Sequence, residues 1–215
     1  MKKTGILFDL DGTLLNTLED LLDATNYAPR IHGCPERTLE QLRQVVGNGA
    51  ENQIRKSVVG DADPMEVLKT YSAYYPAHCQ IKTAAYPGIP EALEELKKEF
   101  PVAIVSNKPD EAVKTLCRQY FGDVFAMGEH PGCPRKPDPA MVRQAMEAIG
   151  VERCIYVGDS ETDIRTARNA EVPCLSVTWG FRDVETLEQA GAEHFCHSPQ
   201  ALPAMLRTMI GEENG

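Results

Sequence analysis

Hydrophobic and polar positions follow two different rhythms along this chain. The opening run Ile6-Leu7-Phe8-Asp9-Leu10-Asp11-Gly12-Thr13-Leu14 is apolar except for two acids, and it reads as a buried strand with the turn that leaves it. From residue 16 to about 82 no strand-like run occurs. Leu18, Leu21, Leu22 and Thr25 instead recur on one helical face. Thr17 with Asp20 reads as a capping box for that helix, and Gly33 ends it. Thr38 with Gln41 repeats the device for a second helix, which stops at Gly47-Asn48-Gly49. A third helix is predicted over 50–59, ending at Gly60, and Asp63 before Pro64 opens a fourth toward Cys79.

From Tyr86-Pro87-Gly88 onward short β-rich runs alternate with amphipathic helices. Strands are predicted over 102–105, 124–127, 154–157 and 174–177, with helices over 90–99, 110–120, 139–149, 161–170, 184–190 and 199–210. Such alternation is the signature of a parallel sheet with crossover helices. The predicted class is α/β: a Rossmann-like parallel-sheet core over residues 1–15 and 83–215, with an inserted all-helical cap domain over 16–82.

Composition narrows the function. With 32 acids against 22 Lys and Arg, the net charge of −10 disfavours nucleic acid or an anionic membrane as partner. Lys2-Lys3 before an apolar run resembles the start of a signal peptide, but Asp9 and Asp11 break the run too early for one. No apolar stretch is long enough to span a bilayer. The seven cysteines are an odd number without a C-x-x-C pair, which fits reduced thiols. His130-x-x-Cys133 and His194-x-Cys196-His197 lack a second pair at zinc-finger spacing, and a turn and a short strand are the expected contexts. A cytoplasmic protein, monomer or homodimer, is expected.

Asp9 and Asp11 give the chain its chemistry. In an extended segment both project to one side, roughly 7 Å apart. A buried strand accepts such a pair only with a cation, hydrogen-bond donors or shifted pKa values in compensation. In doubly wound sheets ligands bind beyond the carboxyl ends of the strands. There this sequence offers Ser106-Asn107-Lys108, then Arg135-Lys136-Pro137, then Gly158-Asp159-Ser160-Glu161-Thr162-Asp163. Taken singly, Ser106 could be a helix N-cap, Lys136 a solvated loop cation, and Asp159 and Asp163 partners of a helix start. Taken together they form a carboxylate-rich rim with a lysine, which suits Mg²⁺ and phosphoryl transfer. Asp9 could attack phosphorus as a nucleophile, and Asp11 could protonate the leaving oxygen and later deprotonate water.

In these motifs the chain resembles the haloacid dehalogenase superfamily, in its phosphatase branch with a helical cap. Asp9-Leu10-Asp11-Gly12-Thr13 matches the first family motif, Ser106-Asn107 the second, Lys136 the third, and Gly158-Asp159-Ser160 with Asp163 the fourth. The resemblance implies Asp9 as nucleophile, Asp11 as acid/base and Lys136 as a catalytic cation. It implies Mg²⁺ held by Asp9, Asp159 and the main-chain carbonyl of Asp11, with Asp163 orienting the metal's water. Ser106, Asn107, Lys136 and Thr13 would hold the phosphoryl group. The insert fits the family's cap. Val46-Gly47-Asn48-Gly49, Ser106-Asn107-Lys108 and Thr178-Trp179-Gly180 look most like phosphoglycolate phosphatases. Gly47 to Gly49, including Asn48, could form a backbone nest for a second anion, with Arg43 one turn away; a plain helix stop and a solvated arginine is the competing reading. Asn16 stands where the family often has an acid, and Glu171 where a glycine often ends a helix.

The expected activity is hydrolysis of a small phosphomonoester, with 2-phosphoglycolate first among candidates. A sugar-phosphate mutase or a pyrophosphatase would use the same core. A dehalogenase would not need Asp11, and a phosphonatase would want a cap lysine, for which Lys56 and Lys69 are available. A phosphoacceptor signalling module is the non-enzyme alternative; it would be shorter and would lack the insert.

Overall fold

The first strand lies inside the sheet, because its side chains are apolar or small on both faces. A computed structural model describes residues 3–213, so Lys2 lies outside the described residues. Strand β1 (Thr4–Phe8) is buried along its whole length. A two-residue strand, β2 (Leu15–Asn16), follows and leads into helices α1 (Leu18–Ile31), α2 (Leu39–Arg43), α3 (Ala50–Ser57) and α4 (Pro64–Tyr74), the last continued by a 3-10 turn at Tyr75–Ala77. The chain returns through β3 (Ala84–Ala85), which pairs antiparallel with β2. Then come α5 (Ile89–Leu96), β4 (Val102–Pro109), α6 (Asp110–Phe121), β5 (Phe125–Glu129), α7 (Ala140–Ala148), β6 (Arg153–Gly158), α8 (Glu161–Ala170), β7 (Cys174–Val177), α9 (Val184–Gln189), β8 (His194–Cys196) and α10 (Leu202–Glu213).

The main sheet has six parallel strands in the order β5-β4-β1-β6-β7-β8. Its two faces follow from strand alternation. Ile6, Phe8, Ile104, Ile155 and Val157 pack with Leu93, Leu116 and Leu206 from α5, α6 and α10. Leu7, Val105 and Tyr156 face Met141, Val142 and Ala145 of α7 and Ala167 of α8. The result is a three-layer α/β Rossmann-like core. After β1 the chain builds outward through β4 and β5, then crosses back to β6 on the other side. The strand order therefore reverses at β1, the kind of crevice in which such sheets bind ligands.

Several local expectations change. Thr17 and Asp20 do not form a capping box: α1 has no side-chain cap, and the Asp20 carboxylate accepts from the backbone N–H of Lys82 and Thr83 at 2.8–3.0 Å. Asp20 thus ties the start of the helical insert to its end, because two converging backbone donors outcompete one local one. The box of Thr38 and Gln41 is present, and Asp63 caps α4 by accepting from Met65 N at 2.9 Å. The fourth helix stops at Tyr74, with Pro76 in the 3-10 turn where its missing N–H does least harm. Ser106 is not a helix cap, since β4 runs on to Pro109 past a register shift against β5, and Pro109 holds the N-cap position of α6. The short strand at His194 falls where the sequence led one to expect it, and the β2/β3 pair is too brief for periodicity to reveal.

Candidate active site

Asp9 sits one residue beyond β1, where its N–H donates to Val157 O at 2.8 Å and so extends the pairing with β6. The residue is 6% exposed. The Lys136 ammonium fills its three donor directions with Asp9 Oδ1 at 2.7 Å, Asp163 Oδ1 at 2.8 Å and Tyr156 Oη at 2.9 Å. Asp163 is held in turn by Ser160, whose N–H and hydroxyl donate to Oδ2 at 3.1 and 2.6 Å. Asp9 Oδ2 accepts no hydrogen bond from the described residues. One oxygen of the candidate nucleophile is therefore fixed and the other is available.

Asp159 is placed by backbone. Phe181 N–H donates to its Oδ2 at 2.7 Å, and the Thr13 hydroxyl to Oδ1 at 3.3 Å. Gly12, at φ +88°, and Gly180 lie so close to its carboxylate that a Cβ at either would collide with it. Glycine is needed at both positions for close approach, and at Gly12 for the backbone angle as well. Trp179 Nε1 donates to Thr13 O at 3.0 Å, so the loop after β7 also braces the turn after β1.

Carboxylate oxygens of Asp9, Asp159 and Asp163 lie within 4.8 Å of one another. Burial pushes the Asp9 carboxyl well above the usual range; Lys136 opposes the rise, while Asp163, Asp159 and Asp11 add to it. Burial likewise pushes Asp159 up to about 7, reinforced by Asp163 and opposed by Phe181 N–H. Burial alone would lower the Lys136 ammonium, but Asp163 and Asp9 more than offset it and hold it well above its ordinary value. Counting Asp11 and Lys108, four acids meet two lysines. A divalent cation would remove the excess of two charges, and an all-oxygen donor set is the kind a hard cation takes. Asp9, Asp159 and Asp163 fit such an ion.

Asp11 belongs to a second cluster. Its carboxylate accepts from Lys108 Nζ at 2.7 and 3.0 Å and from the Thr17 hydroxyl at 2.6 Å. Ser106 is buried beside the cavity, where its Oγ accepts from Lys108 N at 3.2 Å. Asn107 points its amide elsewhere: Nδ2 donates to Lys136 O at 2.9 Å and Gly47 O at 3.1 Å, and Oδ1 accepts from Lys136 N at 2.8 Å. It braces the lysine loop and reaches a loop of the helical insert.

The structure does not bring all expected residues to the cavity. Asp9, Asp11, Ser106, Asn107, Lys136, Asp159 and Asp163 line one space of about 40 Å³, closed on the other side by Tyr71, Tyr75, Gln53 and Gly47. Thr13 lies behind it, on Asp159. Asn48 accepts from Thr162 Oγ1 at 3.0 Å and faces an outer groove, and Arg43 lies in another groove with Glu40 and Asp183. Sequence reading missed Arg182, which donates to Glu161 at 2.8 Å and to the carbonyls of Arg43 and Val46 at 2.6 and 2.9 Å. It also missed Tyr156, a hydroxyl inside an apolar strand, whose need for a buried partner was the available signal.

Fold and site define a Rossmann-like α/β protein with a buried centre of carboxylates and lysines beyond the strand ends. The chain belongs to the haloacid dehalogenase-like hydrolase family, whose sequence pattern matches residues 6–177, and it is a phosphatase of that family. It is similar to phosphoglycolate phosphatases of Agrobacterium fabrum (34% identical, covering 85% of this chain and 83% of the relative) and Pseudomonas putida (33%, 82% and 70%). A solved structure from Lactobacillus delbrueckii subsp. bulgaricus, provisionally designated a phosphoglycolate phosphatase, superposes with a TM-score of 0.87 at 35% identity, covering 96% of this chain and 99% of that one.

Proposed function

We propose that the protein is a Mg²⁺-dependent phosphomonoester hydrolase that works through an aspartyl-phosphate on Asp9 and acts on 2-phosphoglycolate or a close analogue. One observation carries this reading: Asp9 is buried with Oδ1 on Lys136 and its second oxygen unbonded beside the cavity. That oxygen attacks phosphorus as the ester P–O bond breaks, and Asp11 gives the leaving oxygen its proton. Water then attacks the phosphorus of the aspartyl-phosphate; Asp11 takes its proton, and the P–O bond to Asp9 breaks to release phosphate. Lys136 and the Ser106 hydroxyl offset charge on the phosphoryl oxygens. A bound Mg²⁺, held by Asp9, Asp159 and the main-chain carbonyl of Asp11 with Asp163 orienting its water, would supply further positive charge to those oxygens.

Residues 16–82 act in this reading as a cap that excludes bulk water. The cavity beneath it is small and lined by Lys108, Tyr71 and Tyr75 of both parts of the chain, which suits a compact ester. The names of the relatives point the same way. Among the described residues the seven cysteines are free, which supports a cytoplasmic setting, and no helix is long and apolar enough to cross a membrane.

The test is turnover of a phosphomonoester panel with Mg²⁺ or EDTA, beside Asp9→Asn. Phosphate release from 2-phosphoglycolate that needs Mg²⁺ and is abolished by Asp9→Asn is the expected result. Near-normal rates in Asp9→Asn would overturn the nucleophile.

A further inference from the structure

We infer that Lys108 recognises a second anionic group on the substrate, so that preferred esters carry a carboxylate within a few atoms of the phosphoryl group. This rests on the phosphatase reading above.

Three cations border the cavity: Lys108, Lys136 and Arg182. Lys136 has its three donor directions filled by Asp9, Asp163 and Tyr156. Arg182 is engaged with Glu161 and two main-chain carbonyls. Lys108 differs, because Asp11 is its sole anionic partner among the described residues and its ammonium otherwise rests 4.9 Å from the centre of the Tyr75 ring. It is buried, and it stands where the core meets the insert, since Tyr75 and the neighbouring Tyr71 belong to the latter.

The reaction disturbs this pair. When Asp11 turns to the leaving oxygen, Lys108 loses the charge that pays for its burial, and an unpaired buried ammonium is strongly unfavourable. A carboxylate on the leaving group replaces that charge, and a small neutral alcohol does not. Lys108 and Lys136 line one cavity, so such a carboxylate lies close to the phosphoryl group. The competing residues for a second anion do not line this cavity: Asn48 accepts from Thr162, and Arg43, its Nε buried without a partner among the described residues, borders a groove with Glu40 and Asp183.

The experiment compares kcat/KM for 2-phosphoglycolate, its amide analogue and ethyl phosphate in the wild type, Lys108→Met and Lys108→Arg. The wild type is expected to favour the carboxylate ester, and Lys108→Met to shrink that preference by about 100-fold, as loss of a buried charge pair does. Lys108→Arg recovers part of it. A general structural defect would lower all three esters together. A wild type indifferent to the carboxylate, which needs no folded variant to detect, or a preference that survives Lys108→Met, overturns the assignment. A wild type that hydrolyses none of the esters overturns the phosphatase reading and the role of Lys108 with it.

Discussion

Arg182 Nη2 donates to the main-chain carbonyl of Val46 at 2.9 Å, across 136 residues of sequence, so a loop of the core holds the helical insert at its second helix. Nη1 does the same at Arg43 O, and Glu161 fixes the guanidinium through Nε. The preceding residue, Phe181, donates to Asp159. Removing Arg182 leaves two carbonyls and a carboxylate without their donor, each hydrogen bond contributing about 1 kcal/mol. Arg182→Ala should raise KM about 10-fold, with a smaller change in kcat, and should speed amide exchange over residues 43–49. Unchanged exchange there would mean that Asn107 and Thr162 hold the loop unaided.

Lys136 is the counter-ion of two carboxylates that are nearly inaccessible to water. Lys136→Met keeps the volume and removes the charge, leaving Asp9 and Asp163 facing each other. Breaking a buried pair from one side costs about 3–5 kcal/mol. Urea denaturation of the metal-free variant at pH 7.5 should show a loss of that order, and Mg²⁺ should restore part of it. A loss below about 1 kcal/mol would show that the acids are already neutral.

The metal-free enzyme should become less stable as pH rises from about 4 to about 7. Burial raises Asp159 from the ordinary 3.8 to about 7, so across that window the folded state binds a proton that the unfolded chain has released. Stability from this group is therefore complete below pH 4 and lost as pH climbs through 7. Asp9, raised by burial, adds in the same direction. Mg²⁺ competes with those protons, so the gain in Tm on adding Mg²⁺ should grow from pH 5.5 to pH 8. Thermal melts in EDTA and in Mg²⁺ across that range measure both trends, and a Tm in EDTA that rises through the window would contradict the assignment.

Glu171 ends α8 in the left-handed region, at φ 60° and ψ 41°. It is the one residue other than glycine with positive φ among those described. That conformation costs a side-chain-bearing residue about 1–2 kcal/mol, partly offset because glycine gains freedom in the unfolded chain. Glu171→Gly should stabilise the protein by about 1 kcal/mol, raising Tm by about 2–4 °C with turnover unaltered. A fall in Tm would show that the Glu171 side chain contributes more than its backbone strain removes.

Much of the fold was legible because its signals are local. The boundaries of α8 and β7 match the periodicity residue for residue, and the box at Thr38 and the cap at Asp63 formed as their spacing predicted. Where local reading failed, a distant partner had intervened. Asp20 left its helix start for backbone donors more than sixty residues away, and Asn107 turned its amide to the main chain of Lys136 and Gly47.

By itself the sequence determined the class of fold and the inventory of the site: which strands end in acids, a hydroxyl and a lysine, and that those ends share one rim. Alternation and turn chemistry act within a few residues, so they survive in a one-dimensional reading. Tertiary structure alone decided the pairings: Lys136 with Asp9 and Asp163, Lys108 with Asp11, Asn107 with main chain, and Arg182 rather than Arg43 at the closure. Those choices depend on how closely segments far apart in sequence approach, which only the packing of sheet against helices sets.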